Sequence, residues 1–439
     1  MPFRLFLVCT FVLLARPQDI LTFLQPMHPA LVMTGLALGA FVFGGRPKEL
    51  VVALSMPESK RYLLFFAIMI LGIPFAQHQG QAFRGVFLGY SANVLFFVLL
   101  VSQVHSLERL NTLAWVICLS TLTYSVAGGV LQIPQFEGGR FSVVSGSFDP
   151  NDTAYVLVSL FPPCLYFVRY GEGLPKRLAA IAAVCCAIAV ILLTGSRGGI
   201  VALGAVLTLA LVTTRGGIEK GYKILFVLML TGTWLLLEDR IDVERYLSLS
   251  ELSEDYNVTA EGGRLSLWQA AIDLALANPL TGVGVDCFEY AYFLARQAAG
   301  DTYLRWHAVH NSFLQLAAEI GLVGFVVFLA INARTFLTLY RVSSTPGEQR
   351  FNSGNATRLG ALGGLLLLGF IGQLVSGFFV TQGYSTFSTL YFAVAAAIAR
   401  VHGTLHCVPS PASNIRVSGD DPSAAAISCG KERSRTTVV

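Results

Sequence analysis

"LLTGSRGGIVAL", residues 192–203, sets an arginine and two glycines between two strongly apolar runs. An ionisable side chain at membrane depth is costly and is a functional candidate by default. The stretch leaves no room for a loop. The runs therefore read as two helices that turn at Ser196-Arg197-Gly198-Gly199. Gly198 and Gly199 are expected to permit a sharp bend or a close helix approach. The simpler alternative for Arg197 is an interfacial arginine that snorkels to lipid phosphate.

The rest of the chain supports a membrane setting. Of 439 residues, 54% are hydrophobic and 13% charged, with a mean hydropathy of +0.64. Soluble domains carry about 25% charged residues. The pattern predicts an all-α integral membrane protein with about twelve transmembrane helices and one long extracytoplasmic loop carrying short helices. The predicted spans are 3–15, 28–43, 61–76, 82–104, 109–132, 152–169, 177–195, 198–214, 221–238, 312–340, 358–380 and 385–401. Residues 1–238 then hold helices one to nine, 239–308 the outer loop, 309–401 helices ten to twelve, and 402–439 a disordered cytoplasmic tail. The first apolar run, Phe3–Ala15, is followed by Arg16-Pro17-Gln18-Asp19 and not by a small-residue cleavage site, so no cleavable signal is expected.

Basic residues set the orientation. Arg46, Lys48, Lys60, Arg61, Arg109, Arg169, Lys176, Arg177, Arg215, Lys220, Lys223, Arg341, Arg350 and Arg358 fall in alternate short loops. Both termini are therefore expected in the cytoplasm, with Arg16, Arg84, Arg140 and Arg197 outside. The outer loop begins acidic (Glu238, Asp239, Asp242, Glu244) and contains no lysine, only arginines such as Arg240, Arg245, Arg264, Arg296 and Arg305. Only six of the 30 basic residues are lysine, and arginine's planar fork suits phosphate or carboxylate. Of the eight cysteines, most sit in apolar runs without CxxC or Cys/His spacing, so neither a disulfide framework nor a metal site is expected. No cofactor motif, P-loop or DxD motif is evident, which disfavours a cytoplasmic sugar nucleotide. The net charge of +4 carries no implication for nucleic acid.

Three further stretches could carry chemistry. In "EGGRLSLWQAAIDLALANPLTGVGVDCF", 261–288, Leu265, Trp268, Ile272 and Ala275 recur at helical spacing, and Asn278-Pro279 ends the helix. Arg264 then stands in the first turn, where a cation opposes the macrodipole and an anionic ligand would reverse the cost. The alternative is a solvated arginine. In "RWHAVHNSFLQLAAEIGLVGF", 305–325, His307, Asn311, Gln315 and Glu319 step by four along one expected helix, with His310 one position off. A histidine there could activate a sugar hydroxyl, or simply bridge helices. In "GSFDPNDTA", 146–154, Asp149, Pro150 and Asp152 read as an N-cap arrangement, or Asn151 and Asp152 line an outer cavity. Arg16 and Arg84 read as interface anchors, with Arg84 a secondary site candidate. The topology puts Arg197, Arg264 and His310 on one face, which suits a diphosphate on a lipid carrier.

"LTGSRGG", "GGRLSLWQAAIDLALANPLTGVGVDCF" and "HNSFLQLAAEIGLVG", in this order over roughly residues 190–330, resemble the O-antigen ligase and polymerase-like family of membrane glycosyltransferases. "ARPQDI" and "GSFDPNDTA" look like a subgroup of it. The resemblance implies a metal-independent transfer of a glycan from undecaprenyl diphosphate to an acceptor at the periplasmic face of a bacterial inner membrane. The acceptor would be a glycan, lipid A-core or protein. Arg197 and Arg264 would hold the diphosphate and His310 would serve the acceptor hydroxyl. His307, Asn311 and Asp152 are secondary candidates from their positions in the sequence. The motifs do not separate a ligase from a polysaccharide polymerase, and the ligase is the leading reading. The rival classes are a transporter of lipid-linked sugars and a structural partner in an envelope assembly. A transporter favours paired repeats and midplane helix breaks, whereas the marked residues here cluster at one face.

Overall fold

The computed structural model describes residues 2–44, 47–130, 141, 149–212, 220–241, 243, 246, 263–301, 306–344 and 353–406. Much of the expected outer loop (including Arg245, Glu261 and Arg305), the loop positions Arg46, Arg140, Arg215 and Arg350, and the tail from 407 onward lie outside the described residues.

The helices, in chain order, are α1 (Pro2–Ala15), α2 (Pro17–Ile20), α3 (Pro29–Phe43), α4 (Pro47–Ser55), α5 (Pro57–Gly72), α6 (Gln79–Arg84), α7 (Ser91–Gln103), α8 (Leu107–Val130) and α9 (Pro150–Leu160). They continue with α10 (Leu165–Tyr170), α11 (Leu174–Leu193), α12 (Arg197–Val212), α13 (Lys220–Leu237), α14 (Arg264–Ala277), α15 (Phe288–Ala298), α16 (Ser312–Ser344), α17 (Ser353–Gly377) and α18 (Thr386–His406). No strand occurs among the described residues. Pro17, Pro29, Pro57 and Pro150 each open a helix. The missing N–H is harmless there because the first turn has no intrahelical acceptor.

Among the described residues, five segments are long and apolar enough to cross a membrane: Phe23–Phe43, Gln79–Gln103, Leu174–Leu193, Ser312–Ser344 and Gly354–Gly377. The other predicted spans do not meet that measure. Two of them, Pro2–Ala15 and Arg197–Val212, are apolar but shorter. The expected helix 152–169 is divided. Pro162 and Pro163 cannot donate to the helical ladder, and a 3₁₀ turn at Pro162–Cys164 separates α9 from α10. The expected helix 312–340 bends at Gly321, whose φ of 69° is non-helical.

The core gathers around α17, which packs on α16, α12 and α9, while α8 packs on α11 and α1. Tyr62, Phe97, Tyr155, Phe161 and Tyr391 are buried in it. This arrangement brings the starts of α9, α12 and α16 to the turn between α17 and α18.

Candidate functional site

The opening stretch folds as two helices joined by Thr194-Gly195-Ser196. Gly195 makes the turn, with a φ of 58°, and Arg197 is the first residue of α12. Ser196 caps the new helix: its Oγ accepts from the Gly199 N–H at 3.1 Å and donates to Asn151 Oδ1 at 2.9 Å. The bend therefore comes from Gly195 and not from Gly198-Gly199. Those two serve the other expected role, close approach. A Cβ on Gly198 would lie 2.6 Å from Phe379 Cβ, and one on Gly199 2.6 Å from Ala154 Cβ.

Arg264 likewise opens a helix, α14. The buried side of α14 is Leu267, Ala271 and Ala275. Leu265 and Ile272, expected on the apolar face, are exposed instead. Leu267 and Ala271 pack with Phe288, Tyr292, Val309 and Ala318, so α14, α15 and the approach to α16 share one small core.

The segment after α14 locks into the bend of α16. At Gly321 the helical ladder opens, and the Leu322 N–H turns to the Pro279 carbonyl at 2.7 Å. The freed carbonyls of Ala318 and Glu319 accept instead from Val283 and Gly284, each at 2.9 Å. Every buried backbone group released by the kink needs such a partner. The Glu319 carboxylate, 3% exposed, accepts from the Asp286 and Phe288 N–H groups at 3.0 and 3.2 Å. Glu319 is thus a structural tie.

His310 lies just before α16 with a φ of 53°. Its N–H donates to Thr381 Oγ1 at 2.8 Å. The 380–383 turn is stitched to α16 by Ser312 Oγ on the Val380 carbonyl (2.8 Å) and the Gly383 N–H on Gln315 Oε1 (3.0 Å). The polar stripe is therefore shorter than expected. Asn311 caps α16 by accepting from the Phe313 and Leu314 N–H groups. His307 precedes the helix, its ring edge-on to Tyr292 at 6.1 Å.

Asp149 forms the expected capping box with Asp152 at the start of α9. Asp152 also accepts from Gln382 Nε2 at 3.1 Å. A chain of contacts thus runs from Ser196, beside Arg197, through Asn151 and Asp152 to Gln382 and Thr381, and so to His310. Electrostatics adds Arg264 to it. Burial first, and then the Arg264 guanidinium, push the His310 imidazole below its usual pKa, while the Asp149 carboxylate opposes them. His310 is accordingly neutral at neutral pH.

Arg84 stands exposed at the end of α6, and no described contact joins it to His310. Arg16, read from the sequence as an anchor, lies near enough to Asp152 to act on its charge. With Asp286, Gln315, Thr381 and Gln382 it lines a cavity of ≈ 250 Å³. Arg16 and Asp286 were missed as site residues. The sequence signal for Arg16 was "ARPQDI", where the residue before proline is pushed out of the helical region.

The segment that carries Arg197, Arg264 and His310 also has relatives. Residues 181–329 match the O-antigen ligase family. The resemblance read from the three motifs is to that family, and it supports a polysaccharide-ligase type of function. The chain is 27% identical over 167 residues to a Haemophilus influenzae protein of uncharacterized function, covering 36% of this chain and 42% of that one. It is 25% identical over 122 residues to a Rickettsia conorii protein provisionally described as a polysaccharide ligase, covering 25% of this chain and 27% of that one. The matches thus span less than half the length of these curated relatives.

Proposed function

We propose that the protein transfers a glycan from undecaprenyl diphosphate to an acceptor hydroxyl at the periplasmic face of the inner membrane, as an O-antigen ligase-like enzyme. The observation that carries this reading is that Arg197 and Arg264 each open a helix, α12 and α14, that Ser196, the neighbour of Arg197, begins a chain of contacts reaching His310, and that the Arg264 charge acts on the neutral His310. A cation at a helix N-terminus is unfavourable alone. Paired with a diphosphate, the arginine and the positive end of the helix dipole act together.

In this reaction the acceptor oxygen attacks the anomeric carbon of the donor. The bond from that carbon to the diphosphate oxygen breaks, and undecaprenyl diphosphate leaves with the electron pair. Arg197 and Arg264 stabilise the charge that develops on it. His310 takes the proton of the attacking hydroxyl and later releases it to water.

The test is transfer by the purified protein from a defined undecaprenyl-diphosphate glycan to a lipid A-core acceptor, in EDTA. Bond formation is the expected result. Carrier translocation with no new glycosidic bond would overturn the proposal in favour of a transporter. Chain extension on the carrier itself would reassign it to a polymerase.

A further inference from the structure

Among the described residues, four non-glycine residues have positive φ: Arg16 (49°), His28 (45°), Asp286 (57°) and His310 (53°). Such backbone is uncommon and tends to mark sites where geometry is held for a purpose. Arg16 and Asp286 line the ≈ 250 Å³ cavity, and His310 is bonded to Thr381 on its wall. They come from three distant parts of the chain: the end of α1, the loop after α14 and the approach to α16.

The cavity wall is polar and built. Gln315, 6% exposed, is held by the Gly383 N–H at 3.0 Å. Gln382 gives its amide N–H to Asp152, which leaves its amide oxygen without a hydrogen bond among the described residues. The Asp286 carboxylate also has no hydrogen-bond or ion partner among the described residues. Its backbone is fixed on both sides, by Glu319 on the N–H and by Gln81 on the carbonyl. A pre-positioned carboxylate and an amide oxygen are acceptors for hydroxyl donors. The same carboxylate repels a diphosphate. The volume is below the range of drug-sized sites and suits one sugar ring, not a lipid chain.

We infer that the cavity lined by Arg16, Asp286, Gln315 and Gln382 binds the terminal sugar ring of the acceptor and sets which acceptor is used. This rests on the transfer reaction proposed above. The cavity adjoins His310, the group assigned to the acceptor hydroxyl. Arg197 and Arg264 are left to the donor's diphosphate.

Two measurements on the full-length protein in nanodiscs test it. The first is saturation-transfer NMR with the methyl glycosides of glucose, galactose, mannose and N-acetylglucosamine. At least one is expected to give ring-proton signals that weaken in Asp286→Asn and in Arg16→Gln. Asparagine tolerates the positive φ, so Asp286→Asn keeps the backbone. No signal from any glycoside, or signals unchanged in both variants, would overturn the inference. The second is the transfer assay, in which Asp286→Asn is expected to raise the acceptor KM about tenfold, the loss of one charged hydrogen bond, with the donor KM unmoved. A rise in the donor KM alone would give the cavity to the donor's first sugar and overturn the acceptor assignment. Wild-type protein that binds a glycoside but transfers nothing would sink the transfer reaction and leave the pocket standing.

Discussion

Two glycine-bearing turns, 194–199 and 280–286, look alike in sequence and do opposite work. In the first, Gly195 turns the chain while Gly198 and Gly199 let α12 press against Phe379 and Ala154. The product is a helix start with Arg197 at its head. In the second, Gly282 (φ 67°) and Gly284 (φ 107°) carry the chain along backbone, and a Cβ on Gly282 would lie 2.4 Å from the Glu319 carbonyl carbon. That turn gives its N–H groups to the bend of α16, buries 282–285 and leaves only Leu280 and Asp286 exposed. One turn displays a charge, and the other closes a joint.

The division breaks if variants on the two sides behave alike. His310→Ala, on the displayed side, is expected to lower transfer by about 10²–10⁴-fold, the usual worth of a general base, with unchanged accumulation in the membrane. Arg197→Ala is expected to cost about 10²-fold, as for one charge-stabilising donor. Loss of protein in place of rate would move these residues to the structural side. Gly282→Ala should do the reverse. The positive φ and the clash with backbone that cannot yield predict about 3 kcal/mol of destabilisation, read as a lowered melting temperature in detergent. Gly199→Ala meets side-chain atoms only, Ala154 Cβ at 2.6 Å and Ser196 Cβ and Oγ at 3.3 and 3.4 Å, and is expected to cost about 1–2 kcal/mol. A Gly282→Ala protein of wild-type stability would remove the joint as a distinct structural unit.

What the sequence could show follows the same division. Local rules were legible: the Asp149–Pro150–Asp152 cap, the Arg264 helix start and the stop at Asn278-Pro279 all depend on neighbours a few residues apart. The bend at Gly321 was not legible, because its cause is the loop 279–284, about 40 positions earlier in the chain. The apolar face of α14 was misread for a related reason. The helix carries apolar residues on more than one side, so Leu265 and Ile272 gave a periodic signal without being buried. Glu319 looked like part of a polar stripe and is a backbone tie. Arg16 and Asp286 join a cavity only through tertiary structure, and no spacing in the chain could pair them.

The smallest expected effect is also the one that best separates display from joint. Neutral His310 is the competent base, so transfer falls as pH drops through its pKa. That pKa is lowered by burial and then by Arg264, and raised by Asp149. The acid limb of the kcat/KM profile is therefore expected below the usual imidazole range. Removing the cation in Arg264→Gln takes away a lowering influence, so the limb should move to higher pH. Removing the carboxylate in Asp149→Asn takes away a raising influence, so the limb should move to lower pH, and asparagine still caps α9. Gly282→Ala changes no charge near His310 and should leave the limb in place while stability falls. Opposite movements in the two charge variants require a group of His310's sign and position. A limb that ignores both would assign the titration to another residue and remove His310 from the base role.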